Sequence, residues 1–134
     1  MTETTTGVAI EKVTSLDFDE AVARCREELP KEGFGILTEI DIRAKLKEKL
    51  DVDVPPNIIL GACHPPSAHR ALGAVPEVAV LLPCNVCVAV EDRGTVVRAM
   101  NPETAMSMFS HPEIEAVARE VAAALRRVLE RVAS

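Results

Sequence analysis

Apolar positions along this chain change period several times, and each change marks an element. Val8 to Thr14 predicts a first strand. Phe18, Val22, Cys25 and Leu29 then make one helical stripe. Asp17 with Glu20 resembles a capping box at its start, Gly33 is a natural stop, and Pro30 predicts earlier fraying. Phe34 to Ile40 predicts a second strand, with Phe34, Ile36, Thr38 and Ile40 on one face. Asp41 suits an N-cap, and Ile42, Leu46 and Leu50 mark a short helix. Its other face carries Arg43, Lys45, Lys47, Glu48 and Lys49, a charged side that suits solvent.

Ile58 to Cys63 is a short apolar run, as in a strand covered on both faces. Ser67 suits the cap of a short helix, and Val78 to Leu82 fits strand or helix equally. Asn85 to Glu91 alternates, and Asp92-Arg93-Gly94 turns it back into Thr95 to Met100. Asn101-Pro102 opens a short helix, after which Met106, Met108 and Phe109 form an apolar cluster suited to core or dimer packing. Ser110, Pro112 and Glu113 begin the last helix. Its stripe of Ile114, Val117, Val121, Leu125, Val128 and Val132 needs a large apolar partner, most simply a sheet. The order β-α-β-α-β-α-β-β-α predicts an α+β fold: a mostly antiparallel sheet, helices on one face, and a long C-terminal helix. Residues 1–7 are expected as a disordered tail and 8–134 as one domain.

Composition narrows the function classes. Apolar residues make up 48% of the 134 positions but aromatics only 2%, so the core must be aliphatic and base-stacking platforms are lacking. A net charge of −6 also opposes binding to phosphate backbones, so no nucleic-acid partner is expected. The start, Met1 to Thr6, is polar and acidic where a secretory signal would be basic and then apolar. No apolar run is long enough to span a bilayer. A cytoplasmic protein without a membrane partner is the expectation, and there the four cysteines should be thiols or metal ligands.

Two segments concentrate the candidate chemistry: Gly61-Ala62-Cys63-His64-Pro65 and Leu81-Leu82-Pro83-Cys84-Asn85-Val86-Cys87. Each ends an apolar run in a cysteine beside a proline and a hydrogen-bonding side chain. With Glu32-Gly33-Phe34-Gly35 and Thr38-Glu39-Ile40-Asp41-Ile42, these segments resemble, in order, the bacterial and archaeal family known as domain of unknown function 302. The likeness runs over roughly residues 8–132. It implies a compact fold like the TATA-binding-protein half-repeat and a small dimeric protein, without implying DNA binding. The family supplies no reaction. His64 stands where the family usually has Asn, and Cys87 where it tends to have an aliphatic residue.

Several chemistries compete at these segments. Cys84 and Cys87 have the spacing of a redox pair, but on a strand positions i and i+3 face opposite ways. Cys63, His64, Cys84 and Cys87 include the donor types of a zinc, copper or haem-type site, yet only one C-x2-C pair is present. Cys63 and Cys84 are candidate reactive or redox-sensing thiols, against the plainer reading of small buried hydrophobes. Cys25 reads as core, His64 and His69 as solvated or capping, Asn85 as a turn residue with substrate contact as the alternative, and Asp41 as a cap. His111 receives no role, and no serine triad, phosphate loop or zinc-protease motif is present. The reading favoured is a cytosolic homodimer binding a small molecule through Cys63, His64, Cys84 and Asn85, with no cofactor identified. Thiol redox chemistry at Cys63 and Cys84 comes next, and metal binding third.

Overall fold

A computed structural model describes residues 3–5 and 7–134. Its strands are β1 (Glu3–Thr5), β2 (Ala9–Thr14), β3 (Gly35–Asp41), β4 (Asn57–Cys63), β5 (Cys84–Glu91) and β6 (Gly94–Met100). Its helices are α1 (Phe18–Lys31), α2 (Ile42–Leu50), α3 (Pro65–Ala74), α4 (Pro102–Ala105) and α5 (Pro112–Ala133), with a 3-10 turn over Pro76–Leu81. The strands form one sheet in the order β1-β2-β6-β5-β4-β3, every neighbouring pair antiparallel. The α+β class therefore holds, and the ambiguous Val78 region is 3-10 rather than strand.

Aliphatic burial makes the fold. α5 buries ten residues, among them Ile114, Leu125, Val128 and Leu129, each fully covered. They pack against Leu60, Val86, Val88 and Val97 from the sheet and Cys25 and Leu29 from α1. Phe34 is the one aromatic in this buried cluster, so branched side chains fill it. At α1 the capping box forms as read: Asp17 Oδ1 accepts from Glu20 N at 2.8 Å. Asp41 likewise caps α2, accepting from Ala44 N at 2.9 Å.

Other expectations need correction. β1 pairs with β2 inside the segment expected as a tail, which lacked any apolar alternation to announce it. Met1, Thr2 and Thr6, also in that tail, lie outside the described residues. Helix α1 runs through Pro30 to Lys31, because a proline so close to the end forfeits a single backbone bond. The N-cap of α3 is His64 rather than Ser67. α5 is capped by His111, whose Nδ1 accepts from Glu113 N at 3.1 Å, rather than by Ser110. Met106 is buried but Met108 is 80% exposed, so the methionine cluster divides.

The largest difference lies in β3. Register with β4 shifts between Ile36 and Thr38, so Ile36 pairs with Ala62 but Thr38 with Gly61. The extra residue, Leu37, inverts the alternation, as a bulge does. Ile36 therefore faces the helices while Thr38 and Ile40 face the other way, instead of all sharing one side. A Cβ on Gly61 would overlap Thr38 Oγ1 and stand 3.0 Å from Pro83 Cγ. The bare Gly61 lets β3 close onto β4 at this point.

That uncovered sheet face carries its own ion pairs. Glu11 and Arg98 are cross-strand partners, and Arg98 Nε donates to Glu11 Oε2 at 2.6 Å. Arg93 donates to the other Glu11 oxygen at 2.8 Å, and Arg98 also engages Glu91. Burial pushes the Glu11 carboxyl up, but the two guanidiniums outweigh it and hold it below the usual carboxylate range.

Gly61→Ala is expected to cost about 1–3 kcal/mol, the range for overpacking, in urea denaturation. Adding Thr38→Ala should recover part of that loss, since it removes the closest obstacle. Equal stability of Gly61→Ala and wild type would contradict the packing described.

Candidate functional site

Antiparallel pairing of β4 with β5 brings the two cysteine segments together. Ala62 is the partner of Cys84 and Gly61 that of Asn85. Ala62 and Cys84 both point to the helix side, where they are buried. Cys63 is one position out of phase with Cys84, so the thiols are neighbours along the rim and not a facing pair. All four cysteines are free.

Beneath the start of α3 lies a cavity walled by β4, β5, α3, α5 and the end of α4. Its lining includes Phe34, Cys63, His64, Cys84, Met106 and Val121. It gives the centre of a water-sized sphere about 20 Å³ of room. Any such room for a sphere's centre admits at least one water or a group of that size. A wider hollow of about 230 Å³ on the same measure shares His64, Ser67 and Val121 with the cavity and is rimmed by Glu32, Arg70, Glu120 and Arg127. The shared residues belong to the walls of both the small apolar chamber and the charged hollow.

His64 stands between them. Its ring meets Phe34 edge-on, centroids 5.4 Å apart. A Cβ on Gly33 would come within 3.0 Å of His64 Nε2, and Gly33 has a φ of +85°, so glycine is required there twice over. His64 Nδ1 is buried with no hydrogen-bond partner. Burying a polar atom without a partner costs free energy, so such an atom beside a cavity calls for an occupant.

The thiols differ by environment. Burial, with a smaller contribution from nearby Cys63, pushes the Cys84 thiol up to about 11. About one such thiol in ten thousand is ionised at neutral pH. Burial raises Cys25 to about 12, and raises Cys87 against the opposing pull of Arg98. Cys84 is therefore a packed, protonated sulfur rather than an activated nucleophile.

Not every sequence candidate joins the site. Asn85 is exposed on the opposite sheet face, within β5 and not in a turn. Cys87, paired with Ile59 and Arg98, also leaves by that face, so the Cys84–Cys87 spacing unites nothing. His69 is exposed on α3. Among the described residues no three His, Cys, Asp or Glu side chains gather into a metal-holding group. Sequence reasoning missed Phe34, Met106, Val117 and Val121 as walls of the cavity. Their apolar periodicity marked them as core, and only the topology shows what they enclose.

A raised thiol pKa makes stability depend on pH in a definite direction. Cys84 holds its proton more firmly folded than unfolded, so the stabilisation is complete below the unfolded value and is lost as pH climbs towards about 11. Denaturation midpoints should fall from about pH 8.5 upward, near the free-thiol pKa. Cys84→Ala should flatten this alkaline decline relative to neutral pH. A variant declining as steeply as wild type would refute the burial described.

A recognised family pattern covers nearly the whole of the chain. Residues 10–132 match the family described as "Domain of unknown function DUF302". The crystal structure of an uncharacterized conserved protein DUF302 from Bacillus stearothermophilus superposes with a TM-score of 0.85 at 30% identity. The alignment covers 92% of this chain and 96% of that one. No functionally curated protein matches the chain. With its match over 10–132 and this shared architecture, the chain belongs to the DUF302 family.

Proposed function

We propose that this protein is a cytosolic, homodimeric ligand-binding protein without turnover of its own, its site being the cavity under α3. The observation that carries this reading is the buried, unpartnered Nδ1 of His64, a residue that lines both the chamber and the larger hollow. A ligand supplies the missing hydrogen bond, and the apolar walls supply desolvation. Cys63, His64 and Cys84 remain in the site; Asn85 does not. The protonated state of Cys84 favours binding over thiol redox chemistry. No helix among the described residues is long and apolar enough to cross a membrane.

Support for the dimer comes from apolar side chains on neighbouring segments. Leu37 (65% exposed) and Ile40 (42%) lie on the edge strand β3, with Leu50 (66%) and Val52 (41%) on and just after α2. Helix α2 buries no residue at all, unlike α1, α3 and α5. Water contact at such a surface is removed by a second copy.

Native mass spectrometry of gently purified protein should show a non-covalent adduct that leaves on activation. Ala71→Leu, which extends a buried wall residue into the chamber, should abolish it while the protein stays folded. Bare protein in both samples would contradict the ligand-binding reading. Light scattering should give twice the chain mass, reduced to one chain by Ile40→Glu with Leu50→Glu. A wild-type monomer at micromolar concentration would remove the dimer.

A further inference from the structure

We infer that the hollow beside α3 receives a small monocarboxylate. Its carboxylate is held at the first turn of α3 by the hydroxyl and backbone N–H of Ser67, and its short aliphatic part lies against α5. This deepens the ligand-binding reading and rests on it, since it names the chemical class of the ligand.

Unmet hydrogen-bonding capacity carries the inference. Helix α3 opens with Pro65 and Pro66, which have no N–H, so Ser67 supplies its first amide donor. Ala68 N already donates to His64 O at 2.9 Å, and no side chain caps the helix. The Ser67 N–H is thus one of the donors that a helix start leaves over, and it has no partner among the described residues. Ser67 is only 5% exposed, and its hydroxyl makes no hydrogen bond among the described residues either. Both donors belong to a residue that lines the hollow. Buried hydroxyls are ordinarily bonded to protein or to ordered water, so this one marks a place for an acceptor. His64 lines the same hollow, and its Nδ1 also lacks a partner.

Charge selects the acceptor. Aligned peptide dipoles place about half a positive charge at a helix N-terminus. The guanidiniums at the rim are already committed. Arg70 Nε donates to Glu113 at 2.6 Å and its Nη1 to Glu120, while Arg127 Nε donates to Glu32 at 3.0 Å. What is left over favours a single negative charge. A phosphate dianion would meet Glu32 and Glu120 with no unpaired cation on the wall to offset it. A carboxylate has two oxygens, enough to accept from both donors of one serine, and anions are at home at such helix starts. Pro66, Val121 and Ala124 make the apolar part of the wall. About 230 Å³ of room for the centre of a water-sized sphere leaves space for an aliphatic chain beyond the carboxylate.

Sodium butyrate is the probe, titrated into nitrogen-15-labelled wild-type protein at constant pH and ionic strength and followed by amide NMR. The Ser67 amide should shift saturably at millimolar concentration. Butyramide, of the same size but uncharged, should leave it in place. Ser67→Ala, read at the amide of Ala68, should weaken butyrate binding at least about tenfold, the worth of one hydrogen bond to a charged group. His69→Ala, at an exposed position of the same helix, should change nothing. The inference is overturned by an unmoved Ser67 amide, by an equal response to butyramide, by inorganic phosphate binding more tightly than butyrate, or by undiminished binding in Ser67→Ala. If Ser67→Ala does not fold, the wild-type comparison of butyrate, butyramide and phosphate decides alone. A natively retained adduct that carries no carboxylate would leave the ligand-binding reading standing and remove only this inference. Protein that neither retains an adduct nor responds to butyrate loses both.

Discussion

Pairing of Ala62 with Cys84 is the constraint on which the site depends. Those residues are distant in the chain, and the ladder between β4 and β5 makes them neighbours. A slip of one residue would turn Cys84 to the other face, away from α5 and the chamber. The register is held by what flanks it. Leu60, Val86 and Val88 are fully buried against the helices, and Gly61 lets Thr38 and Pro83 close on the opposite side. Aliphatic packing therefore does more than stabilise this protein. It decides which sulfur enters the core and which faces out.

The two faces of the sheet serve different purposes. One carries the helices and the chamber. The other carries Glu11, Arg93, Arg98 and Glu91 in hydrogen-bonded ion pairs, with Asn85 and Cys87 alongside. Glu11 is almost wholly buried although it sits on the side without helices, because the arginines cover it. Partly buried, multiply bonded pairs of this kind also fix which strands are neighbours.

Much of the architecture was legible in the sequence. The α1 capping box, the β5–β6 hairpin and the α5 stripe all rest on local chemistry that needs no tertiary context. Cys84 and His64 stood out because thiol and imidazole at strand ends are unusual. The bulge at Leu37 was hidden, since Phe34, Ile36, Thr38 and Ile40 alternate faultlessly on paper and only pairing to Gly61 reverses them. Asn85 was misplaced for a related reason: the strand begins at Cys84, so its neighbour must face away. Met106 was legible as part of an apolar cluster suited to packing, but its place on the cavity wall follows only from the topology.

A buried imidazole nitrogen of His64 without a hydrogen-bond partner is the account's central claim. Nitrogen-15 NMR of the His64 ring, in protein purified natively and in protein unfolded, stripped of small ligands and refolded, measures it most directly. The account predicts that the Nδ1 resonance moves between the two samples while the His69 ring, exposed on α3, stays where it is. Identical His64 signals in both, at the position of a freely solvated imidazole, would contradict it.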